Sequence, residues 1–193
     1  SPPKVYQVLR ADRTRWSKDP RVTAFRHEVC EQIQRLGGVV TIQELIDLTI
    51  LLRPPAATPE SAQQQRMASA IARAAVETED MMAQRRFQLR RVAGKTVVSC
   101  SQELAVYAEK LGQVADKLAD LDPLASSLRA FQELYEVPQP TQPHGCQPFS
   151  NERLLKLASA MGNKAAVSSL QEVYPRGMSA ERALRLGVRA LSG

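Results

Sequence analysis

Apolar residues recur at three- and four-residue spacing from residue 22 onwards, and this periodicity predicts an amphipathic helix. The positions are Val22, Phe25, Val29, Ile33 and Leu36. Gly37-Gly38 follow directly. Because glycine readily takes the left-handed conformation with which many helices end, the pair predicts the end of this first helix.

A short strand and two further helices are predicted next. The strand is Val39-Val40, and Thr41 with Glu44 forms a capping-box pattern that predicts the start of a second helix. Thr58-Pro59-Glu60 combines an N-cap hydroxyl, a proline at the first helical position and an early carboxylate. We therefore expect a third helix from there to about Asp80.

Residues 86–90 alternate polar and apolar side chains, Ala93-Gly94 can form a turn, and residues 95–100 are rich in β-branched side chains. This pattern predicts a β-hairpin. The order helix, strand, helix, helix, strand, strand is that of a winged helix. We therefore predict a winged-helix-like domain over residues 21–100; the alternative is a generic helical domain with one hairpin.

The rest of the chain is predicted to be mainly helical. We expect a helical pair over residues 101–136, a proline-rich linker over 137–149 and a C-terminal helical segment over 150–193. Residues 1–20 are polar, basic and bracketed by prolines, which indicates an N-terminal arm or linker, most simply a disordered one. The fold class is mainly α, with a winged-helix-like first half and a helical second half.

The two halves of the sequence differ in net charge. The chain has 26 Lys and Arg against 20 Asp and Glu, a net charge of +6, and the whole excess lies within the first 100 residues. An excess of this size permits an acidic partner such as DNA.

The strongest candidate site is the hairpin, because residues 85–95 hold five positive charges and no negative one. On a wing, the charges could contact phosphates while the third helix enters the major groove. The candidate wing residues are Arg85, Arg86, Arg90, Arg91 and Lys95, and the helix residues are Gln63, Gln64, Gln65, Arg66, Ser69 and Arg73. The acidic end of that helix (Glu77, Glu79, Asp80) opposes this interpretation. The simpler alternative is a basic strand edge that resists aggregation.

A second basic face is predicted near the C-terminus. It comprises Arg176, Arg182, Arg185 and Arg189. The last three share a helix face by their spacing. A solvated helix face explains them equally well.

Catalytic patterns are missing from the sequence. It has no Gly-rich phosphate loop, no His-Glu-x-x-His and no Gly-x-Ser-x-Gly. The two histidines, His27 and His144, have no convincing metal-ligand spacing. We therefore predict no enzyme, no cofactor and no metal.

Three cysteines, Cys30, Cys100 and Cys146, are odd in number and far apart in the sequence. This argues against a disulfide framework and suits a reducing cytoplasm, so we expect incidental thiols. No apolar run is long enough for a membrane span, and the start of the sequence lacks the apolar core of a signal peptide, so no membrane partner is expected. The non-Met start and an end directly after a helical pattern suggest a piece of a longer protein.

Several segments resemble the region that follows the kinase domain in a family of bacterial defence kinases. They are residues 24–29, 36–41, 153–155, 158–160, 165–169, 174–178 and 180–186, including Tyr174-Pro175-Arg176-Gly177-Met178. The family is the serine/threonine kinase of the phage growth limitation and BREX systems. The resemblance implies a part of a multidomain protein in bacteriophage defence, and it carries no catalytic residue onto this chain.

We expect a non-catalytic DNA-binding or DNA-sensing regulatory module of such a kinase. The alternative is a protein-interaction scaffold that docks other defence-system subunits through residues 101–136 and the final helix.

Overall fold

The structure is a computed structural model that describes residues 2–54 and 61–191, without the side chains of residues 2–6, 9, 183, 186–187 and 189–191. It divides into two compact units. The first contains residues 1–104 and 142–147, and the second contains residues 105–141 and 148–193. Helices dominate both units, which confirms the mainly α fold class.

The first unit follows the predicted order of elements. Its elements are α1 (Pro2–Lys18), α2 (Pro20–Arg35), β1 (Val39–Thr41), α3 (Ile42–Leu52), α4 (Ser61–Glu79), β2 (Gln88–Val92) and β3 (Lys95–Ser99). From α2 to β3 this is the predicted sequence of helix, strand, helix, helix, strand, strand. The predicted start of α4 at residues 58–60 lies outside the described residues.

Helix α1 corrects the expectation of a disordered arm. It packs against α2 and α4, and the Arg13 guanidinium lies 2.8 Å from the Glu77 carboxylate of α4. The polar composition of this segment concealed the helix, because a contact such as Arg13–Glu77 joins residues 64 positions apart in the sequence.

The caps form as the sequence predicts. Thr41 accepts a hydrogen bond from the Glu44 backbone N–H at 3.2 Å, and the Glu44 carboxylate accepts from the Thr41 N–H at 2.9 Å. Gly37 and Gly38 both have φ of 86°, which lets the chain leave α2 and enter β1 directly.

The hairpin turns through Ala93 and Gly94, whose φ angles of 48° and 76° fit a two-residue turn of the type that suits twisted strands. Val92 pairs with Lys95 at the turn, and β1 pairs with the other edge of β3. The three-stranded antiparallel sheet therefore has the order β1-β3-β2. The core of this unit comprises Phe25, Val29, Ile33, Val40, Leu45, Ala72, Val76, Phe87 and Val98.

The second unit contains most of α5 (Gln102–Leu121), then α6 (Ser127–Tyr135), α7 (Asn151–Met161), β4 (Ala165–Val167), β5 (Val173–Pro175) and α8 (Ala180–Leu191). Strands β4 and β5 form an antiparallel pair. The Asp116 carboxylate of α5 accepts hydrogen bonds from the backbone N–H groups of Asn163, Lys164 and Ala165, at 2.8 to 2.9 Å. This carboxylate fixes the connection between α7 and β4.

The proline-rich segment is divided between the units. Residues 142–147 pack on the first unit, where the Gln147 N–H donates a hydrogen bond to the Gln34 carbonyl at 2.9 Å. The flanking residues 137–141 and 148–149 belong to the second unit. Composition predicted one uniform linker here.

A Gly112→Ala substitution is expected to destabilise the protein by about 2 kcal/mol, although alanine normally favours a helix over glycine. A Cβ at Gly112 would lie 2.6 Å from the Met161 carbonyl carbon and 2.8 Å from the Gly162 backbone nitrogen. Backbone atoms cannot move aside as a side-chain end can. Urea unfolding measures the change. The control Gln113→Ala, at an exposed neighbour on α5, should stay within about 0.5 kcal/mol of wild type; a Gly112→Ala protein of wild-type stability would contradict the contact.

Candidate nucleic-acid interface

Helix α4 presents a polar face to solvent. Its buried face consists of small apolar residues, among them Ala68, Ala72 and Ala75. On the outer side, Gln63, Gln65, Arg66, Ser69 and Arg73 are exposed, and Gln64 is half-buried. The residues predicted to face a major groove therefore lie mostly on the accessible side of this helix.

Arg73 is exposed but paired. Its Nε lies 2.5 Å from one oxygen of the Glu77 carboxylate, and the Arg13 Nε lies 2.8 Å from the other. Burial would raise the pKa of Glu77, but the hydrogen bonds from Arg13 and Arg73 outweigh that effect and lower it. One carboxylate thus opposes two guanidinium charges beside the α4 face.

The hairpin residues differ in their availability. Arg85 and Arg91 are exposed, whereas Arg90 is half-buried and donates hydrogen bonds to the Gln102 and Gln88 side chains at 2.8 and 2.9 Å. Lys95 is half-buried as well. On the sequence alone, all five hairpin residues were equally good candidates for phosphate contacts.

Arg86 takes part in a buried ionic network around Glu79. Glu79 has no accessible surface, and its carboxylate accepts hydrogen bonds from the Arg86 backbone N–H at 2.7 Å and from the Arg86 guanidinium at 2.8 and 3.0 Å. The Arg26 guanidinium of α2 lies 3.2 Å away, and the Arg86 Nη1 lies 2.8 Å from the His27 Nδ1. The network joins α2, the end of α4 and the residues leading into the hairpin.

The electrostatic balance at Glu79 favours the ionised carboxylate. Burial would raise the pKa of Glu79, but the hydrogen bonds and charge of Arg86, together with the charge of Arg26, lower it. The same hydrogen bonds raise the pKa of Arg86. The sequence contained a signal for this pairing, since the acidic end of α4 is followed within seven residues by Arg86. Taken from the sequence alone, that acidity counted only against DNA binding.

The second basic face contains one arginine that is held by the fold. Arg176 donates hydrogen bonds to the Ala165 and Ser159 carbonyl oxygens, each at 2.6 Å. Arg185 pairs with Glu181 on α8, and Arg182 is exposed. The side chain of Arg189 lies outside the described residues.

No protein-family model matches this chain. The chain is 32% identical over 205 residues to the probable kinase PglW of Streptomyces coelicolor, and the match covers 95% of this chain. The chain is homologous to part of PglW. It spans 13% of the length of that relative.

The homology lies outside the kinase domain of PglW. Consistent with this position, the sequence lacks the Gly-rich loop, the His-Arg-Asp loop and the Asp-Phe-Gly motif of protein kinases. The resemblance to a non-kinase region of such kinases is confirmed. In the part of the chain that the structure describes, no helix has the length and apolar character needed to cross a membrane.

A Glu79→Gln substitution is expected to destabilise the protein by about 3 kcal/mol, because it removes the negative charge that balances Arg26 and Arg86 in a buried position. Chemical denaturation measures the loss. The control Glu31→Gln, at an exposed position of α2, should change the free energy of unfolding by less than about 0.5 kcal/mol. Equal effects of the two substitutions would contradict the network.

Acid is expected to weaken the fold through the same group. Because the folded pKa of Glu79 is depressed, its stabilisation is present above the unfolded value of about 4.3 and is lost as the pH falls through the folded pKa. The urea midpoint should therefore fall between about pH 5 and pH 3. It should fall less in Glu79→Gln, and an identical drop in both proteins would exclude Glu79 as a source of the acid sensitivity.

Proposed function

We propose that this chain is a non-catalytic regulatory module of a larger bacteriophage-defence kinase, and that its first unit binds DNA. The homology to the probable kinase PglW supports the link to a kinase. The resemblance to the kinases of the phage growth limitation and BREX systems supports the role in defence.

The observation that carries DNA binding is a set of three accessible arginines, one on α4 and two in or beside the hairpin. Among the described residues, Arg66, Arg85 and Arg91 are exposed and take part in no ion pair. Exposed guanidinium groups on a helix and on an adjacent hairpin can contact phosphates, while Gln63 and Gln65 can reach base edges. The three helices α2, α3 and α4, together with a sheet of order β1-β3-β2, support the winged-helix interpretation.

The charge of the first unit favours a polyanion. It carries sixteen Lys and Arg against eleven Asp and Glu, whereas the second unit carries ten against nine. The paired arginines Arg73 and Arg86 contribute to this field without being free to contact a phosphate. The contacts are therefore assigned to Arg66, Arg85 and Arg91.

The test is fluorescence anisotropy of labelled duplex DNA with this chain, across a salt series. Arg66→Glu/Arg91→Glu is expected to weaken binding at least about 10-fold and to reduce the slope of log affinity against log salt by about 2. These positions leave the Glu79 network intact, which reversal of Arg86 would not.

The matched control is Lys110→Glu/Lys117→Glu, which changes the net charge equally at exposed positions of α5 in the second unit. It should retain wild-type affinity apart from a small long-range effect. If both variants weaken DNA binding equally, net charge alone explains the interaction and the assigned contacts are wrong. If the wild-type chain does not bind DNA, the DNA proposal is overturned.

A second candidate function is protein docking through the second unit. Leu121 and Leu128 are each 68% exposed, and Tyr135 is 58% exposed. Leu121 ends α5, whereas Leu128 and Tyr135 lie on α6, and large exposed apolar side chains can mark protein contacts. The near-neutral charge of this unit suits a protein partner better than DNA.

Docking predicts a different response to mutation. Leu121→Ser/Leu128→Ser should abolish co-purification with the other subunits of the defence system and leave DNA affinity unchanged. Arg66→Glu/Arg91→Glu should leave co-purification unchanged. Co-purification that withstands the leucine changes would contradict docking through this surface.

A further inference from the structure

The structure brings together cysteines that lie far apart in the sequence. The Cys100 N–H donates a hydrogen bond to the Gly38 carbonyl at 2.8 Å, and residues 142–147 pack on the same part of the first unit. A Cβ placed on Gly38 would lie only 2.8 Å from the Cys146 Sγ, so this sulfur packs directly over the glycine. Cys100 and Cys146 thus flank one residue, Gly38.

The two thiols interact with each other. Each thiol lies close enough to the other to influence its pKa. Both side chains are half-buried, whereas Cys30 lies in the core and is 4% exposed. Cys100 and Cys146 are therefore adjacent and within reach of a small reagent.

We propose that Cys100 and Cys146 form a redox-active dithiol, a modification site that a low-molecular-weight disulfide such as oxidised glutathione converts to an intramolecular disulfide bond. This site is independent of the proposed DNA contacts. Intracellular disulfides of this kind are typically transient and regulatory.

The reaction proceeds by two thiol–disulfide exchanges. The Cys146 thiolate attacks one sulfur of oxidised glutathione, forming a mixed disulfide and releasing one glutathione thiolate. The Cys100 thiolate then attacks the Cys146 sulfur, which forms the protein disulfide and releases the second glutathione thiolate. The two protein thiols lose two electrons and two protons, and one glutathione disulfide is reduced to two glutathione thiols.

The order of attack follows from the unequal acidity of the two thiols. Burial raises the pKa of both, and Cys146 raises the pKa of Cys100 further, whereas Cys100 lowers the pKa of Cys146. Cys146 therefore forms the thiolate more readily. Burial also makes the exchange slow at neutral pH, and we expect its rate to increase as the pH rises towards 9.

The bond would fasten the 142–147 segment to the end of β3. In the reduced protein, that segment is held by contacts such as the hydrogen bond from Gln147 to Gln34. A covalent link between residues 100 and 146 closes a long loop and so restricts the unfolded chain. Oxidation is therefore expected to stabilise the first unit.

The experiment treats the whole folded chain with oxidised glutathione at pH 8.5, blocks the remaining thiols by alkylation and maps the peptides by mass spectrometry without reduction. The expected product is a linked pair of peptides containing Cys100 and Cys146, with the intact mass lower by two hydrogens. Dithiothreitol should reverse the change. The melting temperature should be about 5 °C higher in the oxidised form.

Cys30→Ala is the matched control and should give the same linked peptides as wild type. Cys100→Ala should stop at a glutathione adduct on Cys146, and Cys146→Ala should form no disulfide. Peptide mapping of the wild-type chain tests for the Cys100–Cys146 disulfide even if a variant misfolds. A stable glutathione adduct on wild-type Cys146, a link to Cys30, or free thiols after prolonged oxidation would each overturn the proposal.

Discussion

The carboxylate of Glu79, at the end of α4, is completely buried from water. Two guanidinium groups make this possible, because Arg26 and Arg86 supply the opposite charge and Arg86 supplies the hydrogen bonds. Since Arg26 belongs to α2 and Arg86 leads into β2, the hairpin is fixed to both helices through this one carboxylate. The position at which the chain enters the hairpin depends on it.

This constraint divides the basic residues into two groups with different roles. Arg86 stabilises the fold, and Arg73 shares Glu77 with Arg13, so their charges are largely balanced locally. The exposed Arg66 and Arg91 have no such partner among the described residues and remain available to a polyanion. A count of positive charges along the hairpin therefore overstates how many residues are available to a polyanion. It also overlooks arginines that pair with buried carboxylates, as Arg86 pairs with Glu79.

The second unit is organised by close backbone approach more than by charge. Gly112 of α5 lies against the backbone at Met161 and Gly162, and Asp116 one turn later receives three backbone N–H groups. These contacts position the β4–β5 pair. In the same unit, Leu121 and Leu128 face solvent. These leucines are the surface on which the proposed protein docking depends.

The sequence by itself determined the local structure. Apolar spacing, the Thr41–Glu44 capping box, the glycine pair after α2 and the Ala93-Gly94 turn each act within a few residues, so the order of elements from α2 to β3 and the mainly α class were predictable. Helix α1 was missed because its stabilising contacts are long-range. Only the tertiary structure decided which arginines are paired, that Glu79 is buried and that Cys100 meets Cys146, since each depends on residues distant in the chain and no local pattern encodes which distant groups will meet.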